Sequence, residues 1–249
     1  ALNGASAAAM KSADNFYQGD ASKWRKFANS LMLRVAMRMS KVDPAAAEQW
    51  VKTAVANGVF ESDADNCMLM HAGGLTTNDF SEPYAKIYSH EDRGNFFLTE
   101  YFVDLLKSTN DPRLSLIGTV CEEPTISVQA GSDFQYGNSD PAVQKGLPSG
   151  FSDSPDSPWF VGNKYPEFKD EDYRSTYRSR YSTINRYTYS DSTGPTFVCT
   201  YAQTQLLLAE AAVRGWVDGS AQTCYENGVR AACGSSHSSP TARRCIISI

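Results

Sequence analysis

The chain has 249 residues, enough for one large domain or two small ones, and 41% of them are apolar, enough to fill a core. A net charge of −5 with an isoelectric point near 5.3 gives no basic face to neutralise phosphates, which argues against nucleic acid as a partner. No apolar run approaches the length of a membrane span, and six cysteines without a C-x-x-C pair beside three histidines give poor support for a zinc cluster.

The opening residues carry no basic stretch followed by an apolar core, so they do not read as a signal peptide. Asp20 is placed to cap a helix whose apolar face is Trp24, Phe27, Leu31, Val35 and Met39. Arg34 and Arg38 then belong to its solvated or ion-paired face. Asp43-Pro44 restarts a helix, with Trp50, Ala54 and Val55 on its apolar side and Asn57-Gly58 as its stop. A third helix is predicted over residues 95–107, with Phe97, Tyr101 and Leu105 marking its face and Asn110-Asp111-Pro112 ending it.

From 120 to 191 helical periodicity disappears, and Gly, Pro, Ser, Asp and Tyr dominate. So long an irregular stretch is usually functional. Short strands are possible at 125–128 and 186–189. Helix returns at Tyr201, with Leu206, Leu207, Ala209, Ala212 and Val213 as its expected buried residues and Gly215 as its stop. A partner helix over 220–232 completes a short-loop hairpin. Its Ala221, Tyr225 and Gly228 follow the pattern of a tetratricopeptide second helix. An even count of cysteines could mean disulfides, but their spacing is scattered, and they read mostly as buried small apolar residues.

Three segments together resemble a known family. The first is Gly19-Asp20, Lys23-Trp24, Phe27-Ala28-Asn29-Ser30-Leu31, Leu33-Arg34 and Ala36-Met37-Arg38. The second is Asn110-Asp111-Pro112-Arg113. The third is Tyr201-Ala202, Leu206-Leu207-Leu208-Ala209-Glu210-Ala211 and Arg214-Gly215-Trp216. In this order they resemble the SusD/RagB signature across roughly residues 14–232. The resemblance implies a mostly α fold, in which tetratricopeptide-like helical hairpins carry a long irregular, loop-rich middle segment that builds the ligand site. It also implies a lipid-anchored protein at the bacterial outer membrane, facing the cell surface. There it would bind oligosaccharide or polysaccharide as the partner of a TonB-dependent transporter. No cofactor is implied. Residues 1–233 then read as a partial SusD-like helical domain, truncated at both ends. Residues 234–249, Ser-rich and then Arg243-Arg244-Cys245, continue no period and read as a non-native tail.

Sugars are held by aromatic faces and by hydrogen-bonding side chains, and aromatic residues make up 12% of this chain, 13 of them Tyr. The ligand-site candidates in the irregular middle are Trp159, Tyr165, Tyr173, Arg174, Tyr177 and Tyr181. The competing role for each tyrosine is to pack loops onto helices. No catalytic residue is proposed. The enzymatic alternative is a carbohydrate-related hydrolase, an esterase or glycosidase. Gly146-Leu147-Pro148-Ser149-Gly150 lacks nucleophile-elbow spacing. His90 beside Glu91 and Asp92 could supply a base, although a surface turn explains the string as well. Glu122-Glu123 are adjacent rather than opposed across a bond.

Overall fold

The computed structural model describes residues 11, 13–74, 80–87, 96–121, 137–151, 154–165, 181–185, 188 and 191–235. In chain order its main elements are α1 (Ala21–Arg38), α2 (Pro44–Ala56), β1 (Cys67–Leu69), α3 (Pro83–Lys86), α4 (Glu100–Ser108), α5 (Leu114–Ile117), β2 (Gly118–Cys121), β3 (Gly137–Asn138), β4 (Thr183–Ile184), β5 (Thr196–Cys199), α6 (Tyr201–Val213) and α7 (Ala221–Ser235). The fold is mostly helical, as the sequence predicts. The chain divides into two units. The first joins Ala1–His71 to Pro195–Ser238, and the second is Ala72–Gly194 with Ser239–Ile249.

In the first unit, Asp20 caps α1 by accepting from the backbone N–H of Ser22 and Lys23, at 2.9 and 3.3 Å. Asp43 caps α2 through Ala46, with Pro44 at the first helical position. Gly58 ends α2 in the left-handed region, φ +88°. The core joins Leu33, Ala36 and Met37 of α1 to Ala47, Val51 and Ala54 of α2, with Val59, Ala211 and Trp216.

The buried face of α1 is rotated from the predicted one. Val35 is exposed, and the buried positions include the polar Asn29 and Ser30. Asn29 Nδ2 donates to the carbonyls of Asn57 and Gly58, at 3.0 and 2.8 Å. Ser30 Oγ accepts from the N–H of Phe60 at 2.9 Å. These two side chains satisfy backbone groups at and just beyond the end of α2, so burying them costs little. Counting apolar residues cannot detect that. Trp24 and Phe27 still pack inward, but onto a second cluster of Tyr17, Phe60, Cys67 and Cys199. Trp24 meets Tyr17 and Phe27 edge-on, at ring separations of 5.3 and 5.6 Å.

On α2 only Ala54 of the expected face is fully buried, and Trp50 is exposed. On α6 Leu206 and Val213 are exposed, and Ala202, Thr204, Gln205, Ala209 and Ala211 are buried. Helix α7 approaches α6 closely. Gly228 lies against the Leu206 side chain and the Ala202 carbonyl, with no room for a Cβ. At Gly228 the two helices are close and Leu206 packs against the glycine, while Ala211 is buried in the core with Leu33, Ala36 and Val51. The sequence places these two helices correctly, and Gly215 takes the stop conformation at φ +73°. α7 continues to Ser235, beyond the predicted 232. Residues 236–249 lie outside the described residues. Antiparallel pairing of β1 with β5 closes the unit.

In the second unit, β3-β2-β4 form a short antiparallel sheet. α4 starts at Glu100, not near 95, because Thr99 Oγ1 caps it. Leu98 just before it is extended: its N–H donates to Ser182 at 2.8 Å and its carbonyl accepts from Leu147 at 2.7 Å. The buried residues of α4 are Val103 and Leu106, which pack with Leu98 and Leu114, while Tyr101 and Leu105 are exposed. Asn110 takes φ +51°, ending the helical run before Asp111-Pro112. A second cluster joins Phe160, Val161 and Tyr181. The expected strand at 125–128 lies outside the described residues, as does that at 186–189 apart from Thr188, which is in a turn. Among the described residues no helix is long and apolar enough to cross a membrane.

Candidate functional site

The loop from 154 to 165 is organised by successive turns. Ser157 N–H donates to Ser154, Phe160 N–H to Ser157, and Asn163 N–H to Phe160, each at 3.0 Å. Tyr165 N–H reaches Val161 at 2.9 Å. The chain here is Ser- and Pro-rich, which favours turns over helix. Phe160 and Val161 anchor it in the core.

Trp159 stands one residue before that anchor. Its N–H is held by Ser157 Oγ at 3.2 Å, yet the residue is 70% exposed. A large flat ring thus faces solvent from a fixed backbone. Six positions on, Tyr165 is partly buried and meets Phe151 edge-on at 5.6 Å. Lys164 Nζ lies 5.1 Å from the Tyr165 ring centre and 5.5 Å from that of Phe151, within cation–π range. The Tyr165 hydroxyl donates to Glu100 Oε2 at 3.4 Å. The loop thus carries an exposed indole, an ammonium and a phenol, and the phenol meets the carboxylate of Glu100 at the start of α4. Hydroxylated ligands use such groups for ring stacking and hydrogen bonding.

Not all predicted site residues share this environment. Tyr181 is 1% exposed, with its ring packed on Phe160 and Val161 and Lys145 Nζ 4.9 Å from its centre. A ring so enclosed has no free face for a sugar, and here packing is the role the structure shows. Tyr173, Arg174 and Tyr177 lie outside the described residues. Sequence reasoning missed Glu100, Lys164 and Phe151. Glu100 is 65 positions from Tyr165 and carries no local signal of the contact.

The strings behind the hydrolase alternative are placed as follows. Leu147 pairs with Thr99, and its carbonyl accepts from Glu100 N–H at 3.0 Å. Gly146 presses on the backbone of Thr99 and Glu100, where a Cβ would clash. The glycine therefore serves a backbone crossing, and Ser149 lies exposed beyond it. His71 Nε2 sits 2.9 Å from Thr196 Oγ1 in the first unit. His90, His237, Glu122 and Glu123 lie outside the described residues. Among the described residues, no group of three or more His, Cys, Asp and Glu is arranged to hold a metal.

With a helical scaffold and a loop-borne aromatic site in place, comparison with known proteins gives the class. Residues 2–237 match the SusD-like family described as starch-binding associating with outer membrane, and the chain belongs to that family. Solved structures agree. A chitin-binding protein is 32% identical with a TM-score of 0.63, over 90% of this chain and 42% of that one. The SusD-like protein Bacteroidetes AC2a is 26% identical with a TM-score of 0.72, over 91% of this chain and 49% of that one. A SusD homologue of Bacteroides fragilis NCTC 9343 is 25% identical with a TM-score of 0.61, over 92% and 44%. The chain spans less than half the length of each of these structures. No curated protein matches it.

Proposed function

We propose that this chain is part of a non-catalytic protein that binds oligosaccharide or polysaccharide at the surface of the bacterial outer membrane. Trp159 acts as the stacking platform, and Tyr165, Lys164 and Glu100 supply polar contacts. Tyr173, Arg174 and Tyr177, the candidates that lie outside the described residues, are kept in this reading as further ligand contacts. The observation that carries this reading is the exposed indole on a turn anchored by Phe160, in a family described as starch-binding. The finer reading is that the whole protein is lipid-anchored and serves as partner of a TonB-dependent transporter. The family's association with the outer membrane supports it.

Affinity electrophoresis in gels containing soluble starch or glycol chitin tests the ligand class. Retardation of the chain is expected, and Trp159→Ala should reduce it roughly two- to tenfold in apparent affinity, the loss of about 0.5–1.5 kcal/mol that removing one stacked ring produces. Equal mobility with and without either glycan would refute the assignment. So would release of sugar or acyl product during incubation.

A further inference from the structure

Cys67 and Cys199 come from the two chain segments that the first unit draws together, one before the second unit and one after it. They are register partners on the antiparallel β1–β5 pair. Such partners project from one face with Cα atoms about 4.5–5.5 Å apart. A disulfide accepts Cα separations of about 4.4–6.8 Å. Both residues are buried in the cluster of Tyr17 and Phe60, and both are free thiols. The register shifts between Cys67 and Met68, immediately beside the pair. The Tyr17 hydroxyl stands within reach of Cys67, and Cys199 Sγ lies 3.9 Å from Gln203 Oε1. Burial pushes both thiols up, which describes a pair that reacts when the ribbon opens rather than a standing redox catalyst.

We propose that Cys67 and Cys199 form an oxidisable cross-strand pair, closed to an intramolecular disulfide by a small-molecule or protein disulfide oxidant. The thiolate of one cysteine attacks the oxidant's disulfide, giving a mixed disulfide and releasing one thiol. The second cysteine loses its proton and attacks the protein sulfur of that mixed disulfide. The Cys67–Cys199 bond forms and the second oxidant thiol leaves. Two protein thiols give up two electrons and two protons, and one disulfide is reduced to two thiols. The closed bond locks β1 to β5 and fastens the start of α6 to the segment after α2.

The test uses the full chain carrying Cys121→Ser, Cys224→Ser, Cys233→Ser and Cys245→Ser. It is incubated with oxidised or reduced glutathione, then mapped by mass spectrometry without reduction and melted. A cross-linked Cys67–Cys199 peptide is expected in the oxidised sample, with the Tm raised by roughly 5 °C or more and both effects reversed by dithiothreitol. Cys67→Ser in the same background should abolish the cross-link. Two glutathione adducts without a cross-link would overturn the proposal, as would a cross-link that forms only in guanidinium or lowers the Tm. If the four-serine variant fails to fold, the same mapping of the unsubstituted chain decides between this pairing and any other.

Discussion

The indole N–H of Trp24 donates to Asp14 Oδ2 at 2.7 Å, tying the turn before α1 to the first turn of the helix itself. The same carboxylate accepts from the N–H of Gly19 at 2.8 Å, Phe16 at 3.0 Å and Tyr17 at 3.2 Å. Burial raises the Asp14 pKa, but the Trp24 bond and the backbone donors outweigh it and hold the carboxyl down at about 2.

That bond network sets an acid limit. A group whose folded pKa lies below its unfolded value near ~3.9 contributes stability that is complete above about pH 4 and is lost as pH falls toward 2. Burial pushes Asp65 up, but backbone donors and Lys26 outweigh it, and Arg113 holds Asp111 down, so several carboxylates act in the same direction. Thermal melts at pH 5, 4, 3 and 2 should show the Tm falling through this window. Asp14→Asn should cost about 1–2 kcal/mol at pH 7 and flatten the fall. An unchanged slope in that variant would remove Asp14 from the account.

Asn29→Ala should destabilise the first unit by about 1–3 kcal/mol, because it leaves the carbonyls of Asn57 and Gly58 without a buried donor. Urea unfolding should show a lower midpoint with an unchanged slope. Loss of less than half a kcal/mol would mean that water replaces the amide freely.

Two glycine substitutions should move in opposite directions. Gly146→Ala drives a Cβ into the backbone of Thr99 and Glu100 and should cost about 1–3 kcal/mol. Gly234→Ala, inside α7 with open space around it, should be neutral or stabilise by up to about 1 kcal/mol. Calorimetric melts of the pair separate a crowding effect from a general intolerance of change.

Trp159 and Tyr181 should separate binding from stability. Tyr181→Ala empties a buried ring site and should cost about 3–5 kcal/mol. Trp159→Ala, at an exposed ring, should change stability by no more than about 0.5 kcal/mol while weakening glycan retention. Comparable Tm losses in the two variants would show that Trp159 is a packing residue.

Elements with strong local chemistry were legible in the sequence. Asp20, Asp43-Pro44, Asn57-Gly58 and Gly215 start or stop helices by rules that act within a few residues. Helix faces were less legible. Periodicity assumes that the buried stripe is apolar, and on α1 Asn29 and Ser30 are buried because distant backbone groups need them. On α6 Ala211 is buried in the core shared with α1 and α2, and Leu206 lies against Gly228 of α7, contacts that a count made on α6 alone does not show. At the candidate site, Trp159 was recognisable by type. The partnership of Tyr165 with Glu100 depends on tertiary geometry, and so does the burial of Tyr181.

Pairing of β1 with β5 brings together chain segments such that His71 and Thr196 touch although 125 positions separate them. A nascent chain emerging from the ribosome delivers α1 and α2 long before β5, α6 and α7 exist. During that interval Leu33, Met37 and Val51 lack Ala211 and Trp216, their partners in the finished core. The second unit, all but its final residues, is synthesised between the two segments of the first, so domain-wise folding in order of emergence is interrupted here. The earliest helices must wait, their apolar faces open to chaperones, until the last ones arrive.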